Sequence, residues 1–247
     1  MLKNNLIESL EKLFALGNNH DTTRLLEIRR EFINFLKEDD QLLIPHADEN
    51  IVLAKDAVAF IDAQILDATT SNKTEAGNHL KPFFERLMNS EEWSYYELRT
   101  LGGSLSLTSN VEQSISLANK AVMVLMNFNT PHSGIWSGVI AFHVLSRILY
   151  AKFFEDDITI DLDEAFGQWF VKLKHQVPDN PELQMYLEIA EVKQAIFKKD
   201  NQAIMLLMRE FEEKYDKEVV RVVTSEVDYY VASKKYNPKF HEILKNN

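Results

Sequence analysis

The 247-residue sequence combines 45% apolar with 26% charged residues, which is typical of a folded globular protein and too apolar for intrinsic disorder. Its 38 acidic residues outnumber its 27 basic ones, and the formal net charge of −11 argues against a nucleic-acid-binding surface in this chain. The sequence has no cysteine, which excludes disulfide scaffolds, thiolate nucleophiles and cysteine-ligated metal sites.

Apolar residues recur at three- and four-residue steps along most of the chain, which predicts a protein made of helices. The first helix is expected to end at Gly17. Asp21 and Asp48 are expected to cap the second and third helices, because a carboxylate accepts hydrogen bonds from the free N–H groups of the first turn. The polar residues 69–78 are interpreted as a loop, which places Pro82 in the first turns of the fourth helix.

Two adjacent glycines lie inside the next helical pattern, which Ser90 is expected to open. We interpret Gly102 and Gly103 as a point of close packing between helices or as an early helix end, with the close approach of a ligand as the alternative. The residues from Ser109 to Glu112 match a capping box and predict the start of the following helix.

A long apolar helix is predicted over residues 134–154, opened by Pro131. It is long enough to span a bilayer, but His143 and Arg147 lie near its middle, and a central arginine costs about 2.5–3.5 kcal/mol on insertion. We therefore interpret it as a core helix. The N-terminus lacks the apolar region and cleavage site of a signal peptide, so we expect a cytoplasmic protein without membrane contact.

Later helix starts are marked by three capping signals: Asp161, Asn180 before Pro181, and Asp200. The last helices are predicted over residues 217–234 and 238–245. The sequence thus predicts about twelve helices in one continuous domain over residues 1–247. Residues 181–216 have about the length of one tetratricopeptide (TPR) repeat. We expect an all-α, degenerate TPR-like α-solenoid with a concave face for extended ligands.

Motifs for catalysis or metal binding do not appear in the sequence. No two histidines are spaced three or four residues apart, and there is no nucleotide-binding or nucleophile motif. The acidic run 155–157, with Asp161 and Asp163, lacks the glycine and the final glutamate of a calcium loop, so we interpret it as a helix end, a loop and the next cap. We expect no cofactor, no metal site and no enzymatic activity.

Polar side chains on the long apolar helix are candidate binding residues. His143, Arg147 and Tyr150 follow one another at three- and four-residue steps and therefore share one face. Arg147 can bind a peptide carboxylate through both guanidinium nitrogens. The alternative is a partner inside the protein, which the large number of acidic residues favours.

The preceding helix carries a second candidate face. Asn119, Met123 and Asn127 lie on one stripe, and asparagine side chains can bond a ligand backbone with both donor and acceptor. Simple exposure to solvent is the alternative interpretation. Arg99 is a weaker candidate for the same peptide-binding role.

One segment resembles a known family. The core of the likeness is the pattern W-x-x-Y-E-L, formed by residues 93–98, with the apolar helix before it at Phe83–Leu87 and the segment after it at Leu105–Thr108. Residues 80–121 resemble the C-terminal region of the Rgg/GadR/MutR family of bacterial transcriptional regulators. The resemblance implies a helical-repeat domain that binds short hydrophobic signalling peptides, forms dimers, and follows an N-terminal helix-turn-helix.

The leading hypothesis is therefore a peptide-sensing domain of a transcription regulator. Residues 1–40 show no helix-turn-helix, so DNA would be bound only through a domain outside this chain, either removed from it or never present. The C-terminal helices are rich in valine and tyrosine and are expected to form a homodimer. The alternatives are a TPR-like protein-interaction scaffold and, less favoured, an all-α module that binds a lipid or small molecule.

Overall fold

The computed structural model describes residues 2–15, 21–39, 47–70, 73–127 and 133–237. These residues form eleven α-helices, two 3₁₀ turns and no strand, so the all-α prediction is confirmed for this part of the chain. The helices are α1 (Leu2–Ala15), α2 (Thr22–Asp39), α3 (Ala47–Thr70), α4 (Lys73–Asn89), α5 (Tyr95–Ser104), α6 (Val111–Asn127), α7 (Ser133–Phe154), α8 (Leu162–Gln176), α9 (Gln184–Lys198), α10 (Asn201–Lys214) and α11 (Lys217–Val231). The predicted helix over 238–245 lies outside the described residues, as do Gly17, Pro131 and the side chain of Asp48.

Contacts within the chain form two compact units. The first comprises Met1–Ser109 with Asn119–Val124, and the second comprises Asn110–Ala118 with Leu125–Asn247. The expectation of one continuous domain stays a prediction.

In the first unit α1 packs on α2, α2 on α3, and α3 on α4. The start of α4 differs from the prediction, because the helix begins at Lys73 and most of the supposed loop 69–78 is helical. Pro82 consequently lies in the middle of α4 and not in its first turns. The cause is tertiary: Ala76 and Gly77 are buried, and a Cβ on Gly77 would lie 2.1 Å from the carbonyl oxygen of Leu107. The small residues there reflect close packing of a helix.

Gly103 of α5 is explained by packing in the same unit. A Cβ on Gly103 would lie 3.0 Å from the ring of Phe60 in α3. Gln64 of α3 also donates a hydrogen bond of 3.2 Å to the carbonyl oxygen of Gly103. The structure therefore shows the close approach of helices that the sequence suggested.

Two predicted caps lie at the wrong residues. The cap of α5 is Ser94 and not Ser90: its hydroxyl accepts from the N–H of Glu97 at 3.2 Å, and the Glu97 carboxylate accepts from the N–H of Ser94 at 2.6 Å. Ser90 instead donates to the carbonyl oxygen of Glu92. The capping box is formed by Ser94 and Glu97, and it begins four residues after Ser90.

The start of α6 is corrected in the same way. The side chain of Asn110, one residue after Ser109, accepts a hydrogen bond of 2.8 Å from the N–H of Gln113. One carboxylate oxygen of Glu112 accepts from the N–H and the hydroxyl of Thr159, at 3.0 and 2.9 Å. It thereby joins α6 to the loop after α7.

Aspartate caps are confirmed where their side chains are described. Asp21 and Asp161 each accept hydrogen bonds from two N–H groups of the first turn, and Asp200 accepts one from Ala203. Asn180 occupies the N-cap position of a 3₁₀ turn, with Pro181 at its start, but its side chain makes no cap hydrogen bond and donates instead to the carbonyl oxygen of Gln176. A 3₁₀ turn at Pro181–Leu183 precedes α9.

In the second unit α7 packs against α8 and α9, and α9 packs against α10 and α11. Among the described helices, α7 is the one long and apolar enough to cross a membrane by length and composition, yet 56% of that window is buried inside the protein. This agrees with its interpretation as a core helix. The C-terminal end of α7 meets α11 through contacts between aromatic rings.

Candidate functional site

A surface cleft of about 690 Å³ lies in the second unit, between the end of α7 and the turn that follows α11. It is mostly apolar, with charged side chains at its rim. The residues that line it are Phe153, Phe154, Asp156, Tyr229, Ala232, Ser233, Lys234 and Lys235. Its volume falls within the range of about 300–1,000 Å³ that is usual for small-ligand sites.

Stacked aromatic rings form the apolar surface of this cleft. The ring of Phe154 lies between those of Tyr150 and Tyr229, with centroid distances of 5.0 and 4.8 Å and interplanar angles of 29° and 30°. Tyr229 is 45% exposed at the outer end of this stack. Rings that are already packed on one face lose little conformational entropy when a ligand covers the other.

Hydrogen bonds fix the chain after α11 against the loop after α7. The ammonium of Lys235 lies 2.8 Å from a carboxylate oxygen of Asp156 and also donates to the carbonyl oxygen of Glu155. Lys199 donates to the carbonyl oxygen of Lys235. The hydrogen bond from Lys235 lowers the pKa of Asp156. The rim of the cleft is therefore held in place by side chains from both sides.

Arg147 lies behind the cleft and not in it. Its side chain is 2% exposed, and its guanidinium forms an ion pair with the carboxylate of Glu155. The guanidinium carbon also lies 5.4 Å from the ring centroid of Tyr150. The internal acidic partner considered from the sequence is what the structure shows, so Arg147 supports the site from within.

His143 faces a second buried ion pair, between Lys193 of α9 and Glu226 of α11. Burial lowers the pKa of His143 to about 4; the charge of Lys193 lowers it too, and that of Glu226 opposes the change. The imidazole is consequently neutral at pH 7. Burial also raises the pKa of Tyr230 well above its ordinary value, so this phenol stays protonated.

The remaining candidates lie elsewhere. Asn119 and Asn127 are exposed on α6. Arg99 belongs to the first unit, where its guanidinium lies 4.4 Å from the ring centroid of Phe14 and 3.4 Å from Glu11. The lining of the cleft includes none of the three. Of the predicted residues, His143, Arg147 and Tyr150 share one face of α7, where Arg147 is buried and the other two are partly exposed.

Sequence reasoning did not single out Phe154, Tyr229 or Lys234 as binding residues. A signal was present in the doubled aromatic residues 153–154 and 229–230, because adjacent helical positions point about 100° apart. One member of such a pair faces the core and the other faces outward. Phe153 and Tyr230 are buried, whereas Phe154 and Tyr229 are more accessible.

The acidic run at the end of α7 is used by the protein itself. Glu155 pairs with Arg147, Asp156 pairs with Lys235, and Asp161 caps α8. Within the residues that the structure describes, no group of three or more histidine and acidic side chains is placed to hold a metal ion.

Comparison with protein-family models gives no match, and searches of curated proteins and of solved structures give no significant match.

Proposed function

We propose that this chain is a peptide-sensing module, and that the cleft of the second unit receives an apolar or aromatic side chain of a short hydrophobic peptide. One observation carries this proposal: the half-exposed ring of Tyr229 continues the stack of Tyr150 and Phe154 into a mostly apolar cleft of about 690 Å³. Such a surface binds a further ring or a branched aliphatic side chain by removing apolar area from water.

The class of regulator is proposed on the resemblance of residues 80–121 to the Rgg/GadR/MutR family. On that basis the module acts in the cytoplasm, without catalysis or a cofactor, and reaches DNA only through a helix-turn-helix domain outside this chain. Its architecture is proposed to be a degenerate TPR-like solenoid. In support, helices that are consecutive in the chain pack on one another within each unit, as α2, α3 and α4 do, and as α9 does with α10.

The experiment is a binding measurement with fluorescein-labelled short peptides rich in leucine, isoleucine, phenylalanine and tryptophan, combined with thermal unfolding. A peptide that binds only the folded state raises the unfolding midpoint. We expect Tyr229→Ala to weaken binding by about tenfold or more, the usual cost of removing a central aromatic anchor. Tyr95→Ala is the matched control, because Tyr95 is 44% exposed but lies in the first unit.

Two results would overturn the proposal. One is a folded protein that binds no peptide of the panel. The other is equal binding by the wild type and the Tyr229→Ala variant, which would mean that peptides bind elsewhere.

A protein-interaction scaffold is the second candidate function. It is favoured by the exposure of large apolar side chains on α10 and α11: Met205 is 68% exposed, Leu206 60% and Val222 61%. Large apolar side chains left exposed on neighbouring helices commonly mark protein interfaces. We propose that these helices form the expected homodimer; the capture of a different folded protein through the same residues would favour the scaffold.

A further inference from the structure

We infer that the cleft recognises the free carboxyl end of its peptide, with the terminal carboxylate beside Lys234 and the last side chain on Tyr229 and Phe154. This inference rests on the proposed function and names the part of the peptide that the cleft selects. It assigns the carboxylate to a residue that sequence reasoning passed over.

The buried arginine is not available for this contact. Arg147 is 2% exposed and its charge is balanced by Glu155. A carboxylate from solvent would have to displace Glu155 and enter the core to reach it. Breaking a buried ion pair is strongly unfavourable, so a bound carboxylate needs another cation.

Lys234 meets this requirement. Lys234 and Lys235 both line the cleft, but Lys235 is held by Asp156 and by the carbonyl oxygen of Glu155. Lys234 is exposed, and within the described part of the chain its ammonium makes no hydrogen bond or ion pair. Its charge acts on Asp156, whose pKa it helps to lower. It can turn toward a ligand without breaking a hydrogen bond or an ion pair to any described residue.

Charge around the cleft complements an anion, although the whole chain carries −11. Lys234 and Lys235 line it, with Lys199 bonded to the backbone of Lys235. Among the described residues that line the cleft, Asp156 is the one acidic side chain, and Lys235 pairs with it. The nearby carboxylate of Glu155 is balanced by Arg147. The described lining thus contains two lysines and one aspartate, so its balance of charge is positive.

A chain end fits this arrangement better than an internal acidic residue does. In the last residue of a peptide, the carboxylate and the side chain leave the same Cα, so one residue can contact both the ammonium and the ring stack. An internal residue would also have to carry two flanking peptide segments past the fixed turn that follows α11. The amide N–H and C=O groups of those segments would lose water without matching partners.

The test uses one fluorescein-labelled hydrophobic peptide ending in phenylalanine, prepared with a free carboxyl terminus and as the C-terminal amide. For the wild type, we expect amidation to weaken binding by about fivefold or more, in the range of a single charge contact at a partly exposed site. For Lys234→Gln, we expect acid and amide to bind equally. Lys198→Gln is the control, because Lys198 is also exposed, enters no ion pair within the described residues and does not line the cleft.

The outcomes separate the two proposals. If neither form binds, the proposed function fails. If both forms bind the wild type equally, or if Lys234→Gln still prefers the acid, peptide binding stands and the carboxyl-end inference is overturned. N-acetylphenylalanine, added as competitor, should displace the peptide only weakly. Displacement at equal concentration would instead identify a site for small aromatic carboxylates.

Discussion

The guanidinium of Arg147 in α7 pairs with the carboxylate of Glu155, eight residues further along the chain and just beyond the end of the helix. The side chain of Arg147 is almost completely buried. Removing the carboxylate charge of Glu155 would take away the ion-pair partner of a buried guanidinium, which is more costly than losing an exposed ion pair.

We therefore predict that Glu155→Gln lowers the free energy of unfolding by about 3 kcal/mol, whereas Arg147→Met, which removes the buried charge itself, costs less. Urea denaturation measures both. Glu213→Gln is the control, since its exposed pair with Arg209 should contribute less than about 0.5 kcal/mol. Equal losses for Glu155→Gln and Glu213→Gln would show that the buried pair is hydrated in solution.

Lowering the pH should stabilise the first unit through protonation of Asp56. Arg86 of α4 forms ion pairs with both Asp56 of α3 and Glu97 of α5. Burial raises the pKa of Asp56 to about 6 from 3.8; Arg86 opposes this change and Glu97 adds to it. Between about pH 6 and 4 the folded state thus binds a proton that the unfolded chain does not, so this group adds stability as the pH falls.

Asp56→Asn removes that proton uptake. As the pH falls from about 7 to 4, the free energy of unfolding of the wild type should rise relative to that of the variant by on the order of 2–3 kcal/mol. This follows from about 1.4 kcal/mol per unit of pKa difference between the folded and unfolded states. Urea denaturation across this pH range measures the difference. A difference that stays constant with pH would contradict the buried position of Asp56. Glu85→Gln, at an exposed site on α4, is the control.

Lowering the pH should destabilise the protein through His143. Its pKa is about 4 in the folded protein and 6.5 without burial, so the unfolded chain takes up the proton first. Stability is lost as the pH falls through 6.5 toward 4, on the order of 3 kcal/mol in total. His143→Gln should abolish this loss, whereas replacement of the exposed His175 by glutamine should not. Identical pH profiles for the two variants would mean that His143 is accessible to water.

Local signals in the sequence predicted part of this structure. Asp21, Asp161 and Asp200 were identified correctly as caps, because a cap depends on bonds within one helical turn. The start of α4 was predicted incorrectly, because Gly77 is required by contact with Leu107, thirty residues away. A glycine that is needed for a close helix contact cannot be distinguished, from the sequence alone, from a glycine in a loop.

The candidate site also depends on contacts between distant parts of the chain, which local patterns in the sequence do not predict. The periodicity of α7 correctly placed His143, Arg147 and Tyr150 on one face, but it gave no information about what that face meets. The cleft forms only when the end of α7 lies beside Tyr229 and Lys234, which are about eighty residues further along the chain. Helical spacing describes one element, whereas a cleft is formed by several.

Two glycines should respond in opposite ways to alanine. Gly77→Ala places a methyl group against the Leu107 carbonyl and should cost about 1–3 kcal/mol, the usual effect of overpacking. Gly167 of α8 is exposed and has no atom within 4 Å of an added Cβ, so Gly167→Ala should stabilise the protein by about 0.5–1 kcal/mol. Thermal and urea unfolding measure both changes. Stabilisation by both substitutions would contradict the close approach of α4 to Leu107.

The proposed homodimer depends on apolar side chains that are exposed in the second unit. Leu206 of α10 is 60% exposed and is proposed to lie in the interface. A charge there would have to be buried on association without a partner, so Leu206→Glu should convert a dimer into a monomer of 28.6 kDa in light scattering. Val171→Glu, at a 51% exposed site on α8, should leave the dimer intact. A monomeric wild type at micromolar concentration, or dissociation by Val171→Glu alone, would contradict an interface through the C-terminal helices.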